Sequence, residues 1–188
     1  MKRNRVRFHI HPFAAAGLFL LFAAMPRAYA FAAVSSVLLH EAGHMTAALL
    51  LDKRVTEIRL MPVGISIGLS AAASYREEFL IAAAGPFMSL LYAGAAFFWM
   101  PQEIGASVCS LSLSLAVLNL LPLKTLDGGR MAGALLSQLF GEEASDKVLY
   151  VSTCACLAVL WMLSLYIFFY SLLYAGAAFF WMPQEIGA

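Results

Sequence analysis

Apolar residues fall in long blocks along this chain, separated by short polar or Pro-containing breaks. One block covers about 12–26 and ends near Pro26, and a second covers about 28–51 and ends at Asp52-Lys53-Arg54. A third covers about 78–99, ended by Pro101, and a fourth about 105–121, broken at Pro122. Blocks of this length predict helices that can cross the hydrocarbon layer of a membrane. A shorter amphipathic helix is predicted after Asp127, to about Phe140, followed by the polar break Gly141-Glu142-Glu143 and Asp146. The rest, about 147–182, is almost continuously apolar and long enough for two spans, with no clear loop between them.

Residues 54–72 follow a different period. Ile65, Ile67 and Leu69 alternate with Ser66, Gly68 and Ser70, and Ile58 and Leu60 alternate in the same way before them. Period two predicts strands, and Pro62-Val63-Gly64 predicts the turn between them. An isolated hairpin is marginal in water, so it must lean on helices, the membrane or another strand. The expected fold is an all-α polytopic membrane protein with five or six transmembrane helices and a small cytoplasmic-face β-hairpin or sheet. Its parts are a basic N-terminus (1–11), a membrane core (12–140) and C-terminal spans (147–188).

Composition supports lipid as the solvent. The chain is 62% hydrophobic and 12% charged, about half the charge of ordinary soluble domains. Lys2, Arg3, Arg5 and Arg7 crowd the N-terminus. Lys53, Arg54, Arg59 and Arg76 form a second basic stretch, and Lys124, Arg130 and Lys147 a third. Only Arg27 belongs to the opposite side. This asymmetry places the N-terminus and the basic stretches in the cytoplasm. No basic face accompanies a soluble fold, which argues against nucleic-acid binding.

The first block also resembles a signal peptide, with Lys2 to Arg7, Phe13 to Met25 and Ala28-Tyr29-Ala30 as its three regions. A retained span is the preferred reading, because His11-Pro12 stands at its mouth and another apolar helix follows at once. Cys109, Cys154 and Cys156 are odd in number and lie in apolar runs, so they are read as packing residues. Ser171 to Ala188 repeats Ser89 to Ala106 without one difference, loop included. Structural repeats drift in sequence, so this reads as a recent duplication or a sequence-assembly error, and no function is drawn from it.

The chemistry concentrates in His40-Glu41-Ala42-Gly43-His44, an H-E-x-x-H motif. Positions i and i+4 lie one above the other on a helix, so both imidazoles can reach one metal ion. Glu41 stands beside them as a general base. The bland alternative is a cluster of helix-packing hydrogen bonds. His and Glu are costly in hydrocarbon unless paired or coordinated, and His44 lies too far from the helix end to snorkel easily. Catalytic zinc commonly takes three protein ligands and leaves one position open. Asp127, in Asn119-Leu120-Leu121-Pro122-Leu123-Lys124-Thr125-Leu126-Asp127-Gly128-Gly129, is the best third candidate. Its competing role is as N-cap of the helix that follows. Asn119 could hold substrate backbone or an oxyanion, or could serve as interhelical glue. His9 and His11 are read as interfacial polar residues.

HEAGH in one span and NLLPLKTLDGG in a later one, with Ala82-Ala83-Ala84-Gly85-Pro86 between them, resemble the site-2 protease family over about residues 10–140. The basic N-terminus, Ile10-His11-Pro12 and the brief first span resemble its stage IV sporulation protein FB branch, which processes a membrane-associated pro-sigma factor. The resemblance implies an intramembrane zinc metalloendopeptidase with one Zn²⁺ per chain, bound by His40, His44 and Asp127. It makes Glu41 the general base and Asn119 a substrate contact. It also implies a membrane-tethered protein substrate, membrane regulatory proteins as further partners, and a bacterial cell or forespore membrane. Neither a PDZ-like insertion nor a CBS domain is expected, and no nucleotide is expected. The strand Gly64–Ser70, with Gly64, Ile65 and Ile67, is expected to pair with an unwound substrate segment. The rival readings are a membrane metal transporter and a non-catalytic zinc-binding scaffold.

Overall fold

A computed structural model describes residues 7–10, 16, 19, 22–53, 55–61, 64–69 and 73–181. Three strands and five helices follow in chain order: β1 (Arg7–Ile10), α1 (Arg27–Leu50), β2 (Val55–Met61), β3 (Gly64–Leu69), α2 (Tyr75–Trp99), α3 (Gln102–Asn119), α4 (Asp127–Phe140) and α5 (Glu142–Trp181). Residues 22–24 are helical as well. Most of the block 12–26, His11 and the turn residues Pro62 and Val63 lie outside the described residues.

The helices begin and end where backbone chemistry requires. Pro26 and Pro101 stand at the N-caps of α1 and α3, where a missing N–H costs nothing. Ser74 caps α2 in a reciprocal box: its hydroxyl accepts from the Glu77 N–H, and the Glu77 carboxylate accepts from the Ser74 N–H. Gly141, at φ 85°, ends α4 in a conformation that favours glycine. The segment 147–181 is not divided into two helices. It belongs to α5, which runs unbroken for 40 residues. At 1.5 Å per residue that is about 60 Å, roughly twice the thickness of the hydrocarbon layer.

The strands form one sheet in the order β1-β2-β3. β2 and β3 are antiparallel, with Ile58 opposite Ile67 and Leu60 opposite Ile65. β1 adds to the other side of β2 in parallel, with His9 opposite Arg59. His9 Nε2 lies 3.3 Å from Glu57 Oε1, so this residue belongs to the sheet and not to a helix mouth. The sheet touches α1 through both β2 and β3.

Helix α2 occupies the centre and packs against α1, α3 and α4, while α1 also meets α3 and α4 meets α5. Most of the buried side chains are small. Ala30, Ala32, Ala48, Ala82, Ala96 and Ala116 are closed off, with Ser36, Ser89 and Ser112 among them. The largest apolar side chains face outward instead: Phe97, Phe98 and Trp99 are 72–82% exposed. A soluble protein rarely exposes such a surface. Small residues inside and large apolar ones outside is how helices pack in lipid. Ser36 and Ser112 share a buried hydrogen bond of 2.7 Å between α1 and α3. Among the described residues, Tyr75–Trp99 and Glu142–Tyr174 are long and apolar enough to cross a membrane. α1 is more polar because it carries His40, Glu41 and His44, and α3 because it carries four serines.

Candidate metal centre

Helix α1 projects His40 and His44 from one face, as the spacing predicts, toward α2 and the start of α4. The Nε2 atoms lie 3.3 Å apart. Asp127, 87 positions from His40 in sequence, places Oδ2 at 3.1 Å from His40 Nε2 and 3.2 Å from His44 Nε2. All three residues are buried. Together they form a group of ligand atoms able to hold a metal ion.

The outer nitrogens of both rings are engaged. His44 Nδ1 donates to the Ile81 carbonyl oxygen at 2.7 Å. A carbonyl only accepts, so this Nδ1 carries hydrogen, and Nε2 of the neutral ring presents a lone pair. His40 Nδ1 lies 2.9 Å from the hydroxyl of Ser89, which is fully buried on α2. These contacts fix ring orientation in the way that outer-shell partners of metal-binding histidines do.

The residues present therefore fit a metal ion. Three electron-rich atoms converge in a buried space, and a cation between them relieves their repulsion. A tetrahedral ion with arms of about 2.0 Å sets its ligand atoms about 3.3 Å apart. The observed separations of 3.1, 3.2 and 3.3 Å match that edge. Two imidazoles and one carboxylate leave the fourth position for substrate or water.

Local backbone explains how Asp127 arrives. α3 ends at Asn119, and Pro122 prevents its continuation. The chain doubles back through short turns, with Leu123 N–H donating to Leu121 O and Leu126 N–H to Leu123 O. A Cβ at Gly128 would overlap the Leu120 carbonyl, and one at Gly129 the Leu123 carbonyl, so only glycine permits this approach. Helix α5 braces the turn. Ser152 Oγ donates to Pro122 O at 3.0 Å, and Lys124 N–H donates to Thr153 Oγ1 at 3.1 Å.

Gly85 serves the centre in a similar way. A Cβ there would overlap the His44 ring and lie 2.9 Å from His40 Nε2. The Ala-Gly-Pro stretch of α2 thus supplies the wall of the site with no side chain.

Other candidates are placed as follows. Glu41 is half-buried on α1 beside His40. Asp127 is not the N-cap of α4. That position is Leu126, with no side-chain cap, and Asp127 is the first helical residue with its carboxylate turned to the histidines. Asn119 is half-buried, and its Nδ2 donates to Leu115 O of its own helix at 3.0 Å. Gly64, Ile65 and Ile67 lie on β3 and are not among the three residues that converge at the metal centre. Sequence reasoning missed Ser89, Ile81 and Arg130. Arg130 had the better signal, because it follows Asp127 by three positions on a helix.

Comparison with known proteins identifies the family. A profile of peptidase family M50 matches residues 28–106 and 99–163. The stage IV sporulation protein FB of Bacillus subtilis is 31% identical over 164 residues, covering 81% of this chain and 56% of that protein. A zinc metalloprotease of Methanocaldococcus jannaschii is 30% identical over 122 residues, covering 60% of this chain and 35% of that protein. This chain thus spans about half the length of the first relative and about a third of the second. The solved structure of the site-2 protease from Methanocaldococcus jannaschii shares the fold. Its TM-score is 0.59 at 24% identity, over 76% of this chain and 72% of that one. The family is one of membrane metallopeptidases whose metal is zinc, and the three donors here are consistent with one ion. A buried two-histidine, one-aspartate centre inside helices of this fold, matched over most of the chain, places the protein in peptidase family M50, the site-2 proteases.

Proposed function

We propose that this chain is an intramembrane zinc metalloendopeptidase that cuts a membrane-tethered protein. The observation that carries the reading is the convergence of His40, His44 and Asp127 in a buried space. In this reading those three residues hold one zinc ion, which supplies Lewis acidity toward a carbonyl oxygen and lowers the pKa of water. The Glu41 carboxylate takes a proton from the attacking water and passes it to the leaving amine nitrogen. Ser89 and the Ile81 carbonyl keep the two rings oriented during turnover.

A helical substrate hides its carbonyls in internal hydrogen bonds and must unwind before it is cut. Among the described residues β3 has a neighbour on one side only. Its open edge supports pairing with an extended substrate along Gly64, Ile65 and Ile67. Asn119 is assigned to substrate as well, and it would release Leu115 O to bind it. A pro-sigma factor cut during sporulation is the proposed substrate, supported by the 31% identity to a sporulation protein. A multi-pass arrangement with the N-terminus and the metal centre toward the cytoplasm accords with the placement of the basic residues.

The test uses Glu41→Gln. It is expected to keep one zinc per chain and to lose cleavage of a membrane-tethered peptide by about 10²-fold or more. Unchanged cleavage would remove the mechanism, and zinc flux through liposomes without cleavage would favour a transporter.

A further inference from the structure

We propose that Arg130 is a positioning residue of the metal centre, clamping the outer oxygen of Asp127 and anchored by Glu78. The proposal concerns the metal and not the cutting of peptides, so its test is separate from that of the activity. Arg130 follows Asp127 by three positions on α4, which places both on one face. Its Nη1 lies 3.4 Å from Asp127 Oδ1, while Asp127 Oδ2 faces the two imidazoles. Its other nitrogens, Nε and Nη2, donate to Glu78 Oε1 at 2.9 and 2.8 Å. The planar guanidinium fork can hold two carboxylates at once, which a lysine ammonium does less well.

Glu78 is itself firmly placed. It stands in the first turn of α2, beside the Ser74–Glu77 capping box. Glu77 also pairs with Lys53 Nζ at 2.9 Å, just beyond the end of α1. The starts of α2 and α4 and the end of α1 are thereby joined by charged contacts around the centre.

The consequence follows from the two oxygens of a carboxylate. With Oδ1 held by Arg130, Asp127 offers Oδ2 alone, and the fourth position of a tetrahedral ion stays open. Released, the carboxylate can turn both oxygens to the ion or rotate away from it. The Arg130 and Glu78 side chains are 36% and 34% exposed, so the pair adds little to fold stability. Its value lies at the ligand.

The test uses the full chain in detergent, stripped of metal and reloaded. Arg130→Gln is expected to weaken zinc by about 10- to 100-fold in competition with a chromophoric chelator. It is also expected to weaken the visible band of the cobalt-substituted protein, as both carboxylate oxygens enter coordination. The melting temperature of the metal-free protein should stay as in the parent. Glu78→Gln should weaken zinc less, and should add nothing in the Arg130→Gln background, because it acts through the arginine. Parent-like zinc affinity and cobalt spectrum in Arg130→Gln would overturn the proposal. So would a metal-free melting temperature that falls with the affinity, or full additivity of the two substitutions.

Discussion

Gly85→Ala adds a single methyl group to α2, and the structure gives that methyl an unusual address. It would overlap Nε2 and Cε1 of His44 and lie 2.9 Å from Nε2 of His40. Ordinary carbon contacts begin near 3.4 Å, so His40 must retreat by about half an ångström and His44 by about one. Metal–ligand distances tolerate about 0.2 Å. The two rings therefore cannot make room and still grip the same ion. The fold itself should suffer much less. Overpacking costs about 1–3 kcal/mol, and replacing glycine by alanine within a helix returns about 0.5–1 kcal/mol. Zinc affinity is expected to fall at least tenfold, while the metal-free protein keeps its helical circular dichroism and melts within a few degrees of the parent. The assays are metal content after dialysis against a chelator, and thermal melting of the stripped protein. One tightly held zinc per chain in Gly85→Ala would refute the placement of α2 against the two histidines.

Other outcomes follow from the same contacts. Ser89→Ala removes the fully buried partner of His40 Nδ1, and is expected to cost about 1–3 kcal/mol of stability and 10- to 100-fold in zinc affinity, read by melting and chelator competition. Gly128→Ala drives a methyl into the Leu120 carbonyl; it should displace Asp127 and lower zinc occupancy in metal analysis, with His40 and His44 unaltered. Ile67→Pro breaks β3 at its pair with Ile58, and is expected to cripple cleavage of a tethered peptide while zinc content stays at one per chain. Equal loss of zinc and cleavage would make that strand structural only.

The sequence carried the local half of this centre. The spacing of His40 and His44 is a property of one helix, and four positions on a helix meet wherever the helix is packed. Asp127 was legible for another reason: Pro122 and the Gly128-Gly129 pair announce a broken, tightly folded backbone beside a carboxylate. Ser89 and Ile81 were not legible. Their roles depend on which face of α2 meets α1, and a helix with apolar residues all round has no periodicity to show it. Gly85 was visible as a small residue, but its closeness to the rings is purely tertiary. β1 was also hidden, because the alternation Arg7-Phe8-His9-Ile10 is too short to read, and its pairing is with a distant strand. The continuity of α5 across 147–181 shows the limit of counting apolar residues. Such a count gives the material for two spans but not where a helix stops.

Metal analysis of the purified protein, parent beside Asp127→Ala, tests the centre most directly, because it asks whether a carboxylate 87 positions from His40 completes the site. The expected result is one zinc per parent chain and a clear loss of zinc from Asp127→Ala under the same chelator dialysis. Equal zinc in both proteins, or none in the parent, would contradict the assignment of these three residues to a single ion.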